Sequence, residues 1–200
     1  MSKIVLASSN KGKLKELSQL FAEFDTEVVP QSTFNIIDAE ETGLTFVENA
    51  IIKARHACEQ TGLPAISDDS GIEADALNGE PGIYSARYSG SEATAQKNLQ
   101  ALLDALKDTP KSKRTARYQC VIVFMRHSID PTPLICQASW EGTILTAPRG
   151  DGGFGYDPIF WVEEHQCTAG ELTPEQKHAI SHRGKAIRQF IDQFQRLNPS

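Results

Sequence analysis

A chain of 200 residues is long enough for one large domain or for two lobes that share a core. Its apolar fraction of 40% and charged fraction of 23% are ordinary for a soluble globular protein, and no apolar run suits a signal peptide or a membrane span. The net charge of -6 argues against a general nucleic-acid binder, although a few lysines can still make a pocket for a small anion. We therefore expect a cytoplasmic protein with neither a nucleic-acid partner nor a membrane partner.

The four cysteines predict neither a disulfide framework nor a zinc site. They are widely spaced and form no Cys-x-x-Cys pair. Cys120 and Cys136 stand in apolar runs typical of strands, so we expect them to be buried as small hydrophobic side chains.

The first part of the chain alternates strand and helix. Residues 4–7 predict a buried strand, and leucines at helical spacing follow the polar loop 8–13. Residues 27–29 predict a second strand, and residues 45–61 predict a helix that Gly62 ends. This alternation indicates an α/β fold.

The second part of the chain predicts a helix over residues 92–107 and then two long strands, 116–126 and 134–146, paired antiparallel. A short strand follows at 158–162. Thr173 and the residues after it have the pattern of an N-cap, a first-turn proline and a capping glutamine, so a helix begins there. A mixed sheet with helices around it, divided into two lobes by a cleft, fits this order best.

An Asp-Asp-Ser-Gly segment at residues 68–71 follows the short apolar run 64–66, which predicts two carboxylates on a turn at the end of a strand. One carboxylate could hold a hard cation such as Mg²⁺, and the other could orient or deprotonate a water molecule. The alternative is a turn in which these side chains cap backbone groups. Metal binding requires that Glu40 or Glu41 comes near the pair; otherwise these acids serve the next helix N-terminus.

The polar loop of residues 8–13 lies between a strand and a helix, where backbone N–H groups can face a phosphate. Lys11 and Lys13 add positive charge. The loop is not a P-loop, because Leu14 stands where a hydroxyl would bind Mg²⁺. The alternative is an exposed loop with two solvated lysines.

Residues 152–158 combine a flexible backbone, two aromatic rings and one acid, which suits a pocket for a planar base. A hairpin turn with two core aromatic residues is the alternative interpretation.

Three basic groups stand close together near the C-terminus. On one helix, Lys177 and Ser181 would share a face, because they are four residues apart. Arg183 could clamp a phosphate or a carbonyl-bearing base. His182 could equally be an ordinary surface histidine.

Six segments in chain order extend over nearly the whole sequence: residues 8–13, 41–50, 67–71, 81–88, 153–158 and 181–184. Together they resemble the motifs of the inosine/xanthosine triphosphate pyrophosphatases, which in bacteria are called dITP/XTP pyrophosphatases. The resemblance implies one domain over residues 1–200, with an elongated α/β fold and an active-site cleft between two lobes. It also implies a Mg²⁺-dependent homodimer that hydrolyses ITP, dITP and XTP to the monophosphate and pyrophosphate. Such an activity keeps deaminated purines out of DNA and RNA.

The resemblance further implies a role for each matching residue. Asp69 would be the base that activates water and, with Glu40, a ligand of the metal. Asp68 would support the catalytic site. Lys13 would be the main cation that binds the phosphates, and Lys53 would assist it. The phosphates would be bound by Ser8, Ser9, Asn10, Lys11, Gly12 and Lys13, and Ser70 would contact the substrate. The base pocket would consist of Phe154, which stacks on the purine, with Gly155, Tyr156, Asp157, Lys177, His182 and Arg183.

The sequence departs from this family at Cys167, where a basic residue is usual, so a phosphate or structural contact is in doubt. Two other functions compete with the family's activity. One is a pyrophosphatase for modified pyrimidine nucleotides, against which the segments at 154–157 and 181–183 argue. The other is a nucleotide-binding protein without catalysis, against which the presence of both Asp68 and Asp69 argues.

Overall fold

The computed structural model describes residues 2–8, 21 and 26–197. The strands of this part are β1 (Ser2–Leu6), β2 (Thr26–Pro30), β3 (Ala65–Ala74), β4 (Thr115–Met125), β5 (Leu134–Ile144), β6 (Phe160–Val162) and β7 (Cys167–Thr168). Its α-helices are α1 (Phe46–Thr61), α2 (Ala95–Ala105), α3 (Pro174–Ile180) and α4 (His182–Leu197). None of these helices is long and apolar enough to cross a membrane.

The strands form one mixed sheet in the order β2-β1-β3-β4-β5-β6-β7. β1 is parallel to both β2 and β3, whereas β6 is antiparallel to both β5 and β7. A sheet of this kind, formed by a chain that alternates strands with helices, confirms the predicted α/β fold.

The chain divides into two compact units. Unit 1 comprises Met1–Asp69, Val121–Gln137 and Ile187–Ser200, and unit 2 comprises Ser70–Cys120 and Ala138–Ala186. The single-domain organisation with two lobes stays a prediction.

In unit 1, α1 has two well-formed ends. Thr45 accepts a hydrogen bond from the Glu48 N–H at its start, and Gly62 ends the helix in a left-handed conformation with φ of 67°. These ends match the predicted helix over 45–61 and its stop signal. The buried alanines of α1, Ala50, Ala54 and Ala57, lie on one face at helical spacing.

Aromatic rings form a second part of the unit 1 core, where Phe194 of α4 lies edge-on to Phe21 and Phe124 at 5.2 Å between ring centroids in both pairs. Phe190 lies beside the same two rings. The four rings thus anchor the second half of α4 in unit 1.

The core of unit 2 gathers apolar residues from β3, α2, β4, β5 and β6. Arg114 is buried beside this core, and its guanidinium donates hydrogen bonds to the carbonyl oxygens of Leu106, Ile144 and Leu145 at 2.6–2.9 Å. These bonds compensate the cost of burying the charge and tie the ends of α2 and β5 together.

Several boundaries differ from the sequence-based predictions. Thr94 caps α2, so this helix begins later than residue 92. The predicted strand at 158–162 is shorter, because a 3-10 turn occupies Asp157–Ile159 before β6 begins. The expected antiparallel pairing of β4 and β5 agrees with the hydrogen bond from the Ile144 N–H to the Arg114 carbonyl at 2.8 Å.

The C-terminal helical region contains two helices, not one. The predicted capping box of Thr173 and Gln176 is present, with Pro174 in the first turn of α3. α3 nevertheless ends at Ile180, and Ser181 adopts an extended conformation before α4 begins. Ser181 is thus the C-cap of α3, one turn after Lys177, whose carbonyl accepts from its N–H at 2.9 Å, and it does not lie inside a longer helix.

Candidate active site

The Asp68–Asp69 pair lies inside β3, not on a turn after it. The strand continues to Ala74. It lies between β1 and β4 in the sheet, and both of its faces are covered. Asp68 is 7% exposed and Asp69 is 9% exposed. Neighbouring residues of a strand face opposite sides of the sheet, so the two carboxylates have different surroundings, as predicted.

Lys53 joins Asp69 to a second carboxylate. Its Nζ lies 2.7 Å from Asp69 Oδ1 and 3.0 Å from Glu41 Oε1. The Ser67 hydroxyl donates to the Ala50 carbonyl at 2.6 Å, which fixes β3 against the helix that carries Lys53. We call Glu41, Lys53, Asp68 and Asp69 the acid–lysine cluster; it lies entirely within unit 1.

The electrostatics of this cluster favour a charged lysine and a basic aspartate. Burial raises the pKa of Asp69, the Lys53 charge opposes this rise, and the charges of Glu41 and Asp68 add to it. Burial lowers the pKa of Lys53, but the attraction of Asp69, Glu41 and Asp68 outweighs it and the net shift is upward. Lys53 therefore remains cationic while Asp69 becomes a stronger proton acceptor than an exposed aspartate.

Hydrogen bonds hold the segment that carries Glu41. Asn49 Oδ1 accepts from the Gly43 N–H at 2.8 Å, and Glu48 Oε2 accepts from the Leu44 N–H at 2.9 Å. Both acceptors belong to the first turn of α1, so the helix N-terminus fixes the chain two residues after Glu41.

Glu40 does not belong to the acid–lysine cluster. It is exposed and lines a separate cavity of about 330 Å³ with Arg55, His56 and Glu59. Of the two adjacent glutamates, Glu41 shares Lys53 with Asp69, and the metal-binding role of Glu40 stays a prediction. Two adjacent acids in a loop give no periodic signal of which one points inward.

The donor chemistry of this cluster suits a hard cation. Within residues 2–8, 21 and 26–197, no three His, Cys, Asp or Glu side chains gather closely enough to hold a metal ion alone. Mg²⁺ commonly takes only one or two protein carboxylates and completes its shell with water and substrate phosphates. Asp69 and Glu41 supply two such carboxylates, and the Lys53 ammonium beside them shows that this position attracts a cation.

Asp157 organises a second group of side chains, in unit 2. Its buried carboxylate accepts hydrogen bonds from the Phe154 N–H at 2.7 Å, the Tyr118 hydroxyl at 3.1 Å and Lys177 Nζ at 2.5 Å. Gly153 makes this close approach possible, because its φ is 74° and a Cβ there would lie 2.3 Å from Asp157 Oδ2. Asp157 thus holds the glycine-rich loop.

Phe154 presents its ring to solvent, with 65% of the residue exposed. Lys177 Nζ lies 4.3 Å from the centroid of this ring, at cation–π distance. Tyr156 is the opposite case: it is buried, and its hydroxyl donates to the Ser85 carbonyl at 2.7 Å. Of the two aromatic residues predicted for the base pocket, only Phe154 exposes a face for stacking.

His182 and Arg183 begin α4. The His182 ring is buried and stacks on Tyr118, with 4.7 Å between centroids and 8° between planes. Arg183 Nη2 donates to Ser70 Oγ at 3.3 Å. His182 is therefore not a surface histidine. We call Phe154, Asp157, Lys177, His182 and Arg183 the aromatic–basic cluster; it lies entirely within unit 2.

Part of the predicted phosphate loop lies outside the described residues: Ser9, Asn10, Lys11, Gly12 and Lys13. Ser8 is described, and its N–H donates to the Leu6 carbonyl at 2.8 Å directly after β1.

Gly155 has φ of 63° beside Phe154. Cys167 is half-buried in β7, where the nearby Glu171 pairs with Arg149 at 3.2 Å.

Sequence reasoning missed Tyr118. It is one of several apolar or aromatic residues along β4, and nothing in that pattern separates a core tyrosine from one that holds a functional carboxylate.

Comparisons with known proteins agree on one family. Residues 4–193 match the model of the Ham1 family. The dITP/XTP pyrophosphatase of Shigella flexneri is 59% identical over 192 residues, which covers 96% of this chain and 98% of that protein. That of Escherichia coli K12 is 57% identical with the same coverage. A solved structure of a HAM1 protein from Coxiella burnetii superposes with a TM-score of 0.95 at 52% identity, covering 98% of this chain and all of that one.

Proposed function

Because this chain belongs to the Ham1 family, we propose that it hydrolyses ITP, dITP and XTP to the nucleoside monophosphate and pyrophosphate. The family resemblance drawn from the six motifs is confirmed by the match over residues 4–193. Curated relatives that are named dITP/XTP pyrophosphatase, at 57–59% identity over nearly the whole chain, support the activity. The enzyme is thus a hydrolase of acid anhydrides that removes deaminated purines from the nucleotide pool.

The observation that carries the catalytic part of the proposal is the bridge from Asp69 through Lys53 to Glu41. Asp69 would take a proton from the attacking water, and burial makes it a better acceptor by raising its pKa. Lys53 would remain charged and neutralise negative charge that develops on the phosphate oxygens. Phosphoryl transfer demands mainly such positioning and charge stabilisation from a protein.

We further propose that Asp69 and Glu41 hold Mg²⁺ together with the substrate phosphates. When bound, the metal would neutralise charge on the departing pyrophosphate. Asp68 would support the site through its charge, which reaches both Lys53 and Asp69. Lys13 keeps its proposed role as a phosphate-binding cation.

The aromatic–basic cluster would recognise the base. Phe154 offers an exposed ring for stacking, and the cationic or donor groups of Lys177, His182 and Arg183 would read the 6-oxo oxygen of hypoxanthine and xanthine. Adenine presents an amino group at this position, so its binding would leave buried donors without an acceptor, at considerable cost. Guanine shares the 6-oxo group and must be rejected at its 2-position.

One assay tests this function. Product release from ITP, XTP, dITP, GTP, ATP and dTTP is measured with Mg²⁺ and with a chelator. We expect pyrophosphate from the first three substrates, little turnover of the others, and loss of activity with the chelator. Equal rates on ITP and GTP would contradict the proposed recognition of the base. A preference for dTTP would indicate an enzyme for pyrimidine nucleotides. Orthophosphate as the first product would show that the enzyme cleaves the β–γ bond.

We also propose that the enzyme is a cytoplasmic homodimer, as the motif resemblance implies. Its mass in solution would then be twice the 22.0 kDa of one chain, which sedimentation equilibrium measures directly. A mass of one chain at micromolar concentration would refute the dimer.

A further inference from the structure

Tyr118 touches both segments of the aromatic–basic cluster. Its hydroxyl donates to Asp157 Oδ1 at 3.1 Å, and Asp157 belongs to the glycine-rich loop. Its ring lies nearly parallel to that of His182, with 4.7 Å between centroids, and His182 begins α4. These two segments are 25 residues apart in sequence, counted from 157 to 182, and one side chain of β4 contacts both.

The ring of Tyr118 is itself held firmly. Phe160 packs against it with 4.7 Å between centroids, and Trp140 stacks on it at 6.2 Å. Trp140 also stacks on His182 at 6.3 Å and 19°, so the imidazole belongs to a layered aromatic group. A packed core of this kind allows little rotation of the tyrosine, and its hydroxyl direction is therefore set.

The hydroxyl of Tyr118 is a dependable donor to Asp157. Burial raises the pKa of this phenol well above its ordinary value, and the neighbouring Asp157 charge adds to the rise. The phenol therefore keeps its proton at neutral pH. Among the described residues, three groups donate to Asp157: the Phe154 N–H of the loop itself, the Lys177 side chain, and the Tyr118 hydroxyl, which comes from a strand of the sheet.

We propose that Tyr118 is a positioning residue for purine recognition, which holds the Asp157 loop by its hydroxyl and His182 by its ring. This inference rests on the proposed function, since it takes the aromatic–basic cluster to be the base-binding group. Through Asp157, Tyr118 orients the Phe154 backbone and the Lys177 ammonium; through stacking, it orients the imidazole. Tyr118 itself need not touch the substrate.

The test is Tyr118→Phe, which keeps the stacked ring and removes only the hydroxyl. Asp157 then loses one of its three donors, so Phe154 and Lys177 are held less firmly. We expect KM for ITP to rise about tenfold, the factor that one hydrogen bond to a charged group typically represents, while kcat stays nearly unchanged. The ratio of kcat/KM for ITP over GTP should fall as well.

Tyr88→Phe is the matched control. It also removes a tyrosine hydroxyl that donates to a carboxylate in the same unit, Glu80 Oε2 at 3.3 Å, and Glu80 is not a member of the aromatic–basic cluster. We expect its KM for ITP and its ITP preference to equal those of the unaltered enzyme. Thermal unfolding of both variants verifies that they are folded at the assay temperature.

Asp157→Asn, alone and combined with Tyr118→Phe, supplies a second test that does not alter the aromatic stack. If Tyr118 acts through Asp157, the effect of the double variant on KM is smaller than the product of the single effects. Independent effects, or an unchanged KM and unchanged ITP preference in Tyr118→Phe, would overturn the proposal. A failure of the proposed function looks different, because the unaltered enzyme would then show no preference for ITP over GTP.

Discussion

Lys53 and Glu41 act on Asp69 with opposite signs. The ammonium of Lys53 lies 2.7 Å from the Asp69 carboxylate and lowers its pKa, whereas the negative charge of Glu41 raises it. Burial contributes the largest share and raises the pKa. The basicity of the proposed catalytic carboxylate is therefore set by burial together with the opposing charges around it.

Because the two charges have opposite effects, we expect substitutions of Lys53 and Glu41 to shift the pKa of Asp69 in opposite directions in the metal-free protein. Lys53→Met removes the positive charge, so the pKa of Asp69 should rise; Glu41→Gln removes a negative charge, so it should fall. The carboxyl carbon resonance of Asp69, followed by NMR against pH, measures both. Shifts of the same sign would show that one of the two charges does not act on Asp69 as the geometry implies.

Adjacent glutamates allow a sharp test of the metal site. Glu41→Gln should raise the Mg²⁺ concentration for half-maximal activity by at least about tenfold, because one of two carboxylate ligands is lost. Glu40→Gln is the matched control and should leave this concentration unchanged, since Glu40 lies outside the acid–lysine cluster. A larger effect of Glu40→Gln would support the assignment made from the sequence.

A candidate site residue is easy to recognise in the sequence when its pattern is unusual, and hard to choose when a neighbour has the same side chain. The adjacent carboxylates of Asp68 and Asp69 stand out in any sequence, but Glu40 and Glu41 are chemically identical. Glu41 faces Lys53, and the hydrogen bond from the Gly43 N–H to Asn49 holds the segment after it against the start of α1. Such a choice depends on three-dimensional contacts that no local pattern contains.

At the scale of secondary-structure elements, alanine substitutions at two glycines distinguish the effect of backbone strain from the effect of steric contact. Gly62 and Gly153 both have positive φ, 67° and 74°, but only at Gly153 would a Cβ meet another group. Gly62→Ala should cost about 1 kcal/mol of unfolding free energy and leave the kinetics unchanged. Gly153→Ala should in addition displace the Asp157 carboxylate and raise KM for ITP.

Urea unfolding and steady-state kinetics of the two alanine variants measure these effects. An unchanged KM in Gly153→Ala would mean that the loop held by Asp157 does not bind the substrate. A raised KM in Gly62→Ala would instead show that strain at the end of α1 reaches the site.

Elements were predicted well where local signals mark them. Thr45 and Gly62 bound α1, and Thr173, Pro174 and Gln176 mark the start of α3. The break at Ser181 was not predicted from the sequence. Its cause is the extended conformation of a single residue, which apolar periodicity does not detect.

For the molecule as a whole, the order of strands and helices predicted an α/β fold, and the mixed sheet confirms it. The sequence could not show which side chains of distant elements meet. Tyr118 of β4 contacts Asp157 and His182 only because the core of unit 2 brings three segments together. Burial patterns predict that such a residue is internal, but not what it holds.

The position of Asp69 inside a central strand has a consequence for motion. Loops open and close at little cost, whereas a buried strand inside a sheet exposes its amides only when a large part of the fold opens. The amide protons around Asp68 and Asp69 should therefore exchange with solvent as slowly as those of the core. The Asp69 side chain would then keep its position while the substrate-binding loops move, and only the substrate would have to move toward it.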